Sequence, residues 1–411
     1  MWGVNRPVRG ATIAGLDIGT TKTCAVVATS TPSGLDIIGV GEAPSTGLKR
    51  GVITDLEETV RSIEAATEKA ERMAGVHISH VYVGVTGEHV QSQNNRGVVA
   101  ISSDEREVLR ADVRRVVEAS KLIDIGLERQ IIHALPRHFS VDGHDGVRDP
   151  VGMSGARLEV DTHIITGSNA FITNVLKCVH RAGLEPAGLV FEPLASSAAT
   201  LLSEEKHVGV VLMDIGGGTS DIAVYSGGGA LHTSTVPIGG NTITNDIALV
   251  LKTTFAEAES LKRSFACAMP TATEATDVAT YRTLDGATQQ TITRAQLRSI
   301  VAPRVLEIFR LAKQQVAARI PRDVLLAEIV ITGGGAHLAG IAAAAAEYWS
   351  LPARLGRPTA VGGLTDAVKQ PQYATAVGLV LFGPSGDGAV WHRPGTTIFS
   401  KIASLWGEIW N

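Results

Sequence analysis

The stretches IAGLDIGTTKTCAVVA (residues 13–28) and VVLMDIGGGTSDIAVYSGG (210–228) are two versions of one device, set about half a chain apart. Each runs from an apolar strand through D-I-G and small or hydroxyl residues into a second β-rich strand. That order predicts a β-hairpin whose tight turn carries the glycines. It differs from the common phosphate loops, because neither G-x-x-x-x-G-K-[ST] nor G-x-G-x-x-G leads from a strand into a helix here. Glycine lets backbone N–H groups approach an anion closely, and successive N–H groups in a turn form an anion nest. The threonine hydroxyls and Lys22 add donors and charge. Asp17 and Asp214 end the first strands, where carboxylates are placed to hold a hydrated Mg²⁺ through its waters. One such hairpin is weak evidence, but two predict related lobes closing on one phosphate chain.

A third glycine element, EIVITGGGAHLAGI (328–341), reads as strand, GGG turn and then helix. It offers bare backbone and a helix N-terminus to a flat or anionic group, or is an ordinary strand-to-helix connection. The formal charge of −4, from 37 basic and 41 acidic residues, gives no pointer to nucleic acid as a partner. Cys24, Cys178 and Cys267 lie far apart without a CxxC pair, which suits a reducing cytosol and neither a disulfide frame nor a zinc site. The first residues hold no apolar core of signal-peptide type, and no apolar run approaches the roughly 18 residues of a membrane span.

Together these elements resemble the actin, Hsp70 and sugar-kinase ATPase superfamily. LDIGTTK is similar to its first phosphate loop, MDIGGGTSD to its second, and ITGGGAHLAG to its adenosine segment. FEPLASSAATLL (191–202) and YATAVGLVLFG (373–383) are similar to its two connecting helices, and all five stand in the family's order. The resemblance implies ATP and Mg²⁺ as ligands, with Asp17 and Asp214 on the ion through water. It places Gly19, Thr20, Thr21 and Lys22, then Gly216, Gly217, Gly218 and Thr219, on the phosphates, joined by Gly239 and Gly240 of VPIGGNTITNDIA. Gly333, Gly334 and Gly335 fall at the adenosine, and Glu192 where family members position the attacking water. Glu259 and Lys262 of AESLKRS fall at the adenosine edge, or form a solvated i, i+3 ion pair on a helix face. ATP binding is implied without turnover being guaranteed, so activity as a weak ATPase stays open.

Within the superfamily the chain resembles the FtsA family of bacterial cell-division proteins over almost its whole length. LKRGVITDLEETVRSIEAA (48–66), SHVYVGVTGEHV (79–90) and DPVGMSGARLEVDTHIITG (149–167) carry that likeness. The implied fold is α/β, actin-like and bilobal, from duplicated ribonuclease-H-like lobes, with a small α+β subdomain inserted in the first lobe and a C-terminal amphipathic helix. The expected division is lobe 1 at 11–82 and 162–206, with the insertion at 83–161. Lobe 2 follows at 207–242, its upper subdomain at 243–305, and the adenosine segment at 306–382. A linker occupies 383–397 and the amphipathic helix 398–411. In DEREVLRADVRRVVEASKL (104–122), Val108, Leu109, Val113, Val116 and Val117 recur at helical spacing, predicting an amphipathic helix packed on a small sheet. The family's partners are other copies of itself in a filament and the C-terminal peptide of the tubulin-like protein FtsZ. Arg294, Arg298 and Arg304 meet that acidic peptide or line a solvated helix face.

The segment TTIFSKIASLWGEIW (396–410) holds two of the chain's five tryptophans and follows a Gly/Pro-rich stretch that reads as a linker. At 100° per residue, Ile398, Phe399, Ile402, Leu405, Trp406, Ile409 and Trp410 fall within one arc of about 140°. About fourteen residues are too few to span a bilayer, but they suit its interface, where tryptophan is favoured. Gross burial of these seven side chains is on the order of 10 kcal/mol, most of it offset by shallow insertion and ordering. One copy then binds weakly and a filament tightly, through avidity. The expected location is peripheral, on the cytoplasmic face of the cell membrane at the division site. Two alternatives are a small-molecule kinase of the same superfamily and an adaptor like the pilus protein PilM.

Overall fold

The computed structural model describes residues 10–270, 276–286, 288–321 and 323–385. The linker beyond 385 and the amphipathic stretch 398–411, with its seven apolar residues, lie outside the described residues.

Each D-I-G turn joins the first two strands of a sheet, and the two sheets repeat one topology. In the first lobe, strand Thr12–Ile18 pairs antiparallel with Lys22–Thr31, which pairs antiparallel with Gly34–Pro44. On its other side Thr12–Ile18 runs parallel to His80–Val85, itself parallel to Glu185–Phe191. In the second lobe, Val210–Ile215 pairs antiparallel with Ser220–Ser226 and that strand with Gly229–Val236, while Glu328–Thr332 and Ala353–Leu355 extend the other side in parallel. Both sheets thus read third, second, first, fourth, fifth strand in chain order. A short strand, Gly362–Gly363, crosses back from the second half of the chain to the edge of the first sheet.

The central strands are buried on both faces, so they read as unbroken apolar runs; every residue of Val210–Ile215 is buried. Helix Leu56–Ala74 shows why these sheets lie so close to their helices. Asp55 caps it by accepting from the Glu58 N–H at 3.0 Å, and Gly75 ends it at φ +68°. Its inner face is Val60, Ile63, Ala66 and Ala70, and it rests on strand Gly34–Pro44. A Cβ added at Gly41 of that strand would stand 1.9 Å from the Ala66 carbonyl, so glycine sets the spacing.

Between the lobes, helices Glu192–Thr200 and Ala374–Phe382 cross. The insertion is a four-stranded antiparallel sheet in the order Gln91–Ala100, Arg157–Ser168, Arg129–Val141, His144–Val147. Helix Arg110–Ser120 covers it, and Val108, Val113, Val116, Phe139, Leu158 and Val160 form a separate core. The helix begins at Arg110 rather than within 104–109. Asp112 accepts from the Leu109 N–H at 2.9 Å and the Ser102 hydroxyl at 2.8 Å, which fixes the start and leaves Leu109 exposed. Strand Arg157–Ser168 runs on past 161, since β-pairing with Arg129–Val141 continues to Ser168.

The insertion grows from lobe 1 but also docks on lobe 2, along the edge strand Gly229–Val236. His163 donates from Nδ1 to Asn94 Oδ1 at 2.7 Å and accepts at Nε2 from Thr233 at 3.0 Å. Asn94 then donates to the Leu231 carbonyl at 3.1 Å, and Ser92 to that of Thr233 at 2.6 Å. Burial drives the His163 pKa down to about 3, so the imidazole is neutral and its single proton fixes this order of bonds.

Candidate functional site

The two D-I-G turns face each other. Each is closed by the same bond, Gly19 N–H to the Lys22 carbonyl at 3.0 Å and Gly216 N–H to that of Thr219 at 2.9 Å. A Cβ at Gly217 would lie 2.4 Å from Thr21 Cγ2, and one at Gly218 2.6 Å from Thr20 Oγ1. Side chains there would push the lobes apart. The second turn is fixed from below: its Gly216 and Gly217 carbonyls accept from Gly240 and Asn241 N–H at 2.9 and 2.8 Å, at the start of helix Gly240–Leu251. Gly239 has room only for a hydrogen, because its Cβ would stand 2.6 Å from the Gly216 oxygen.

A cleft of about 490 Å³ opens beside these turns. It is lined by Asp17, Gly19, Thr20, Thr21 and Lys22 from lobe 1, with Glu192 from the connecting helix. Lobe 2 contributes Asp214, Gly216, Gly217, Thr219, Gly240, Glu259, Lys262, Gly333, Gly334 and Gly335. Gly218 and Gly239 shape the turns without lining the cleft. The glycine segment at 333–335 meets it as a 3₁₀ turn, Gly334–His337. The α-helix starts only at Ile341, outside the lining residues, so its N-terminus is not presented there.

Charge in this cleft is unbalanced. Burial raises the Asp17 pKa to about 6, with Asp214 and Glu42 adding to the rise and Lys22 opposing it. Glu192, also buried, is pushed well above the usual range, with Asp17, Asp221 and Asp214 contributing. No described residue donates a hydrogen bond to the Asp17 carboxylate, although the residue is only 6% exposed. Lys22 is similar: its buried ammonium makes no hydrogen bond, only an ion contact with Glu42 at 3.8 Å and a place over the Tyr373 ring at 4.5 Å. Burial opposes its charge, yet Cys24, Asp17 and Glu42 beside it hold its pKa above the usual lysine value. A buried acid without donors and a buried cation without acceptors fit a ligand that carries both a cation and an anion. Among the described residues no three His, Cys, Asp or Glu side chains converge to hold a metal ion directly, and the two carboxylates of Asp17 and Asp214 fit a hydrated Mg²⁺, which keeps several waters.

Lys262 differs from Lys22. It donates to the Gly240 carbonyl at 3.0 Å and to Thr244 at 2.8 Å, and pairs with Glu259 at 2.7 Å. The i, i+3 ion pair exists, and both its members line the cleft. The three arginines do not form an open cationic face. Arg294 is paired with Asp277 at 3.1 Å and bonded to the Phe265 carbonyl, and Arg304 grips Asp246 at 2.7 Å and Glu307. Arg298 is also engaged.

Asp221, which the sequence reading did not single out, lines the cleft and is buried. Its Oδ1 accepts from Thr235 of its own lobe and from Thr86, just past the end of strand His80–Val85, both at 2.6 Å. The signal was present, since the register sets Asp221 directly opposite Asp214 in the hairpin. Burial, with Asp214 and Asp17 nearby, raises its pKa to about 7 against those two donors. The folded state therefore holds a proton that the unfolded chain has lost, and stability falls as pH rises from about 4 through 7. Asp221→Asn keeps an acceptor for both threonines and removes the charge. It is expected to stabilise the ligand-free protein by on the order of 2 kcal/mol above pH 7, a gain that vanishes near pH 4. Melting curves across that range check it, and a variant that melts earlier at pH 8 would contradict it.

A family model described as cell division protein FtsA matches residues 211–378, and one described as the SHS2 domain inserted in FtsA matches 87–166. The chain is 40% identical to cell division protein FtsA of Pseudomonas aeruginosa over 375 residues, 91% of this chain and 89% of that protein. It is 36% identical to the Escherichia coli K12 protein of that name over 405 residues, 96% of each, and 39% identical to that of Bacillus subtilis over 367 residues, 89% of this chain and 82% of that one. Among solved structures, a chain of the PilM–PilN type IV pilus biogenesis complex superposes with TM-score 0.67 at 18% identity, covering 91% of this chain and 99% of that chain. MreB5 of Spiroplasma citri bound to ADP gives 0.54 at 13% identity, covering 90% and 95%. These two likenesses establish the actin-like fold, while the long sequence matches decide between its branches: this chain belongs to the FtsA family of cell-division proteins.

Proposed function

We propose that this protein binds ATP with Mg²⁺ between its lobes, polymerises, and ties FtsZ filaments to the cytoplasmic face of the cell membrane at the division site. The observation that carries the nucleotide reading is the pair of interlocked turns beside an unanswered Lys22 and an unanswered Asp17. Bound Mg²⁺ would supply positive charge to the phosphates. The chain's own part is to offer Lys22, the turn N–H groups and the Thr20, Thr21 and Thr219 hydroxyls to the anion. Glu192, at the start of the connecting helix, lines the same cleft and is the side chain placed to orient a water there. The membrane reading rests on residues 398–411 as a sequence. The FtsZ reading rests on the family, with Arg294 and Arg304 serving the packing of the subdomain around 243–305 rather than standing open to a peptide.

Liposome co-sedimentation with purified FtsZ and ATP–Mg²⁺ tests this function as a whole. The full chain is expected to carry FtsZ into the pellet, while FtsZ lacking its C-terminal peptide stays behind. Trp406→Glu puts a charge on the apolar arc and should lower the membrane-bound fraction at least about tenfold. If that variant sediments like its parent, the tail is not the membrane contact.

A further inference from the structure

The two lobes carry equivalent aspartates on equivalent strand ends, yet their surroundings differ. Asp17 has no hydrogen-bond donor among the described residues, whereas Asp214 has two, both from outside its own lobe's sheet. Ser196, on helix Glu192–Thr200, donates its hydroxyl to Asp214 Oδ2. Thr375, on helix Ala374–Phe382, donates to the same oxygen at 3.0 Å. The two hydroxyl oxygens are themselves 3.0 Å apart, and Ser196, Thr375 and Asp214 are all buried.

Two hydroxyls carry two protons. With both given to Asp214, neither is left for the contact between Ser196 and Thr375, so both O–H bonds are aimed at the carboxylate. Hydrogen bonds from hydroxyls to an ionised carboxylate are the strong kind. The other oxygen, Oδ1, lies against the bare backbone of Gly333, where an added Cβ would stand 2.2 Å away. Both ends of the carboxylate are therefore fixed in position. Its partners sit where the helices that join the lobes cross, and Gly378 there would place a Cβ 1.8 Å from the Ala195 carbonyl. The hairpin fold does not require such a grip, because Asp17 keeps the same place in lobe 1 without it.

We propose that Ser196 and Thr375 are positioning residues for Asp214, a two-hydroxyl clamp that sets how this carboxylate faces a hydrated cation and ties that orientation to the crossing of the connecting helices. Thr375 reaches the wall of the cleft and Ser196 does not, and both act through their bonds to Asp214. Loading the site and setting the angle between the lobes are then one event, because a shift of either helix moves a bond to Asp214. The inference rests on the reading of the cleft as a Mg²⁺–nucleotide site.

The test is the affinity for ATP measured by calorimetry with Mg²⁺ and with excess EDTA. Parent, Ser196→Ala, Thr375→Val and Thr375→Ser are compared as full chains. The readout is the ratio of the two affinities, since a general loss of packing lowers both. The clamp predicts that Ser196→Ala and Thr375→Val reduce the gain conferred by Mg²⁺ about tenfold, and that Thr375→Ser, which restores a hydroxyl, recovers most of it. Should Ser196→Ala fail to fold, the contrast between Val and Ser at 375 decides alone, valine being close to threonine in volume. If the parent shows the Mg²⁺ gain and the variants keep it, the clamp is wrong and the cleft reading stands. If the parent binds ATP equally well with and without Mg²⁺, the cation reading of Asp214 falls and takes the clamp with it.

Discussion

Lys22→Ala is expected to lower the affinity for ATP–Mg²⁺ at least about a hundredfold, the equivalent of about 2.7 kcal/mol. The size follows from what its ammonium does in the ligand-free protein, which is little. It makes no hydrogen bond and rests over Tyr373 with Glu42 at 3.8 Å, so its donors are free for an anion without first breaking a bond. It is also the cation that opposes the rise in the Asp17 and Asp214 pKa values. Without it, more of the acid charge must be met by Mg²⁺ alone. Lys262→Ala, at the other wall, is expected to cost only about tenfold, because that ammonium is already spent on Gly240, Thr244 and Glu259. Its loss would act by loosening the helix that anchors the second turn. Calorimetric titration of both variants separates the two roles. A Lys22→Ala protein within about threefold of its parent would mean that the phosphates do not sit beside the first turn.

The parts of this molecule that were legible from sequence are those fixed locally. A D-I-G turn between two apolar runs states its own geometry, and finding it twice gives the duplicated sheets and the place of the cleft. The helix around 110–120 was visible in the spacing of Val113 and Val116, but its start was not. Val108 keeps the apolar spacing while belonging to the stretch before the cap, and Asp112 decides where the helix begins. The glycines at 333–335 gave the approach of bare backbone and not the 3₁₀ turn, because both continuations begin with the same tripeptide. Ser196 could not be recognised at all. In FEPLASSAATLL it is one small residue among several, and it acquires a role only when Asp214 and Thr375 arrive from distant points of the chain. The arginines show the same limit: Glu307, at i+3 from Arg304, is visible along the helix, but Asp246, and Asp277 beside Arg294, come from other segments. The paired lobes were therefore legible in turn chemistry and the rest of the fold in the family resemblance, while the finer site needed contacts between remote segments.

The second large effect is expected from a single methyl group. Gly378→Ala should destabilise the protein by at least about 4 kcal/mol, at the top of the range for point substitutions. An alanine inside a helix ordinarily gains up to about 1 kcal/mol over glycine, so the expected sign runs against propensity. Position decides it. The added Cβ would stand 1.8 Å from the Ala195 carbonyl oxygen and 2.2 Å from its carbon, and both are backbone atoms of the facing helix. No rotamer relieves such a contact, and the helices must separate. The opposite side of Ala374–Phe382 gives no room either. Gly15 of strand Thr12–Ile18 packs there, and its own Cβ would lie 2.7 Å from Leu379 Cβ and 2.9 Å from the Ala376 carbonyl. Helix 374–382 is thus held between a strand and a helix by one glycine on each side, and any shift also moves Thr375 away from Asp214. Gly75→Ala is the control: its added Cβ meets nothing within 4 Å, and the cost of its φ of +68° is about 1 kcal/mol. Urea titration of the two variants should give the larger loss at 378 by at least about 3 kcal/mol. Equal midpoints would mean that the connecting helices cross at a looser distance, and the coupling of Asp214 to the hinge would lose its mechanical basis.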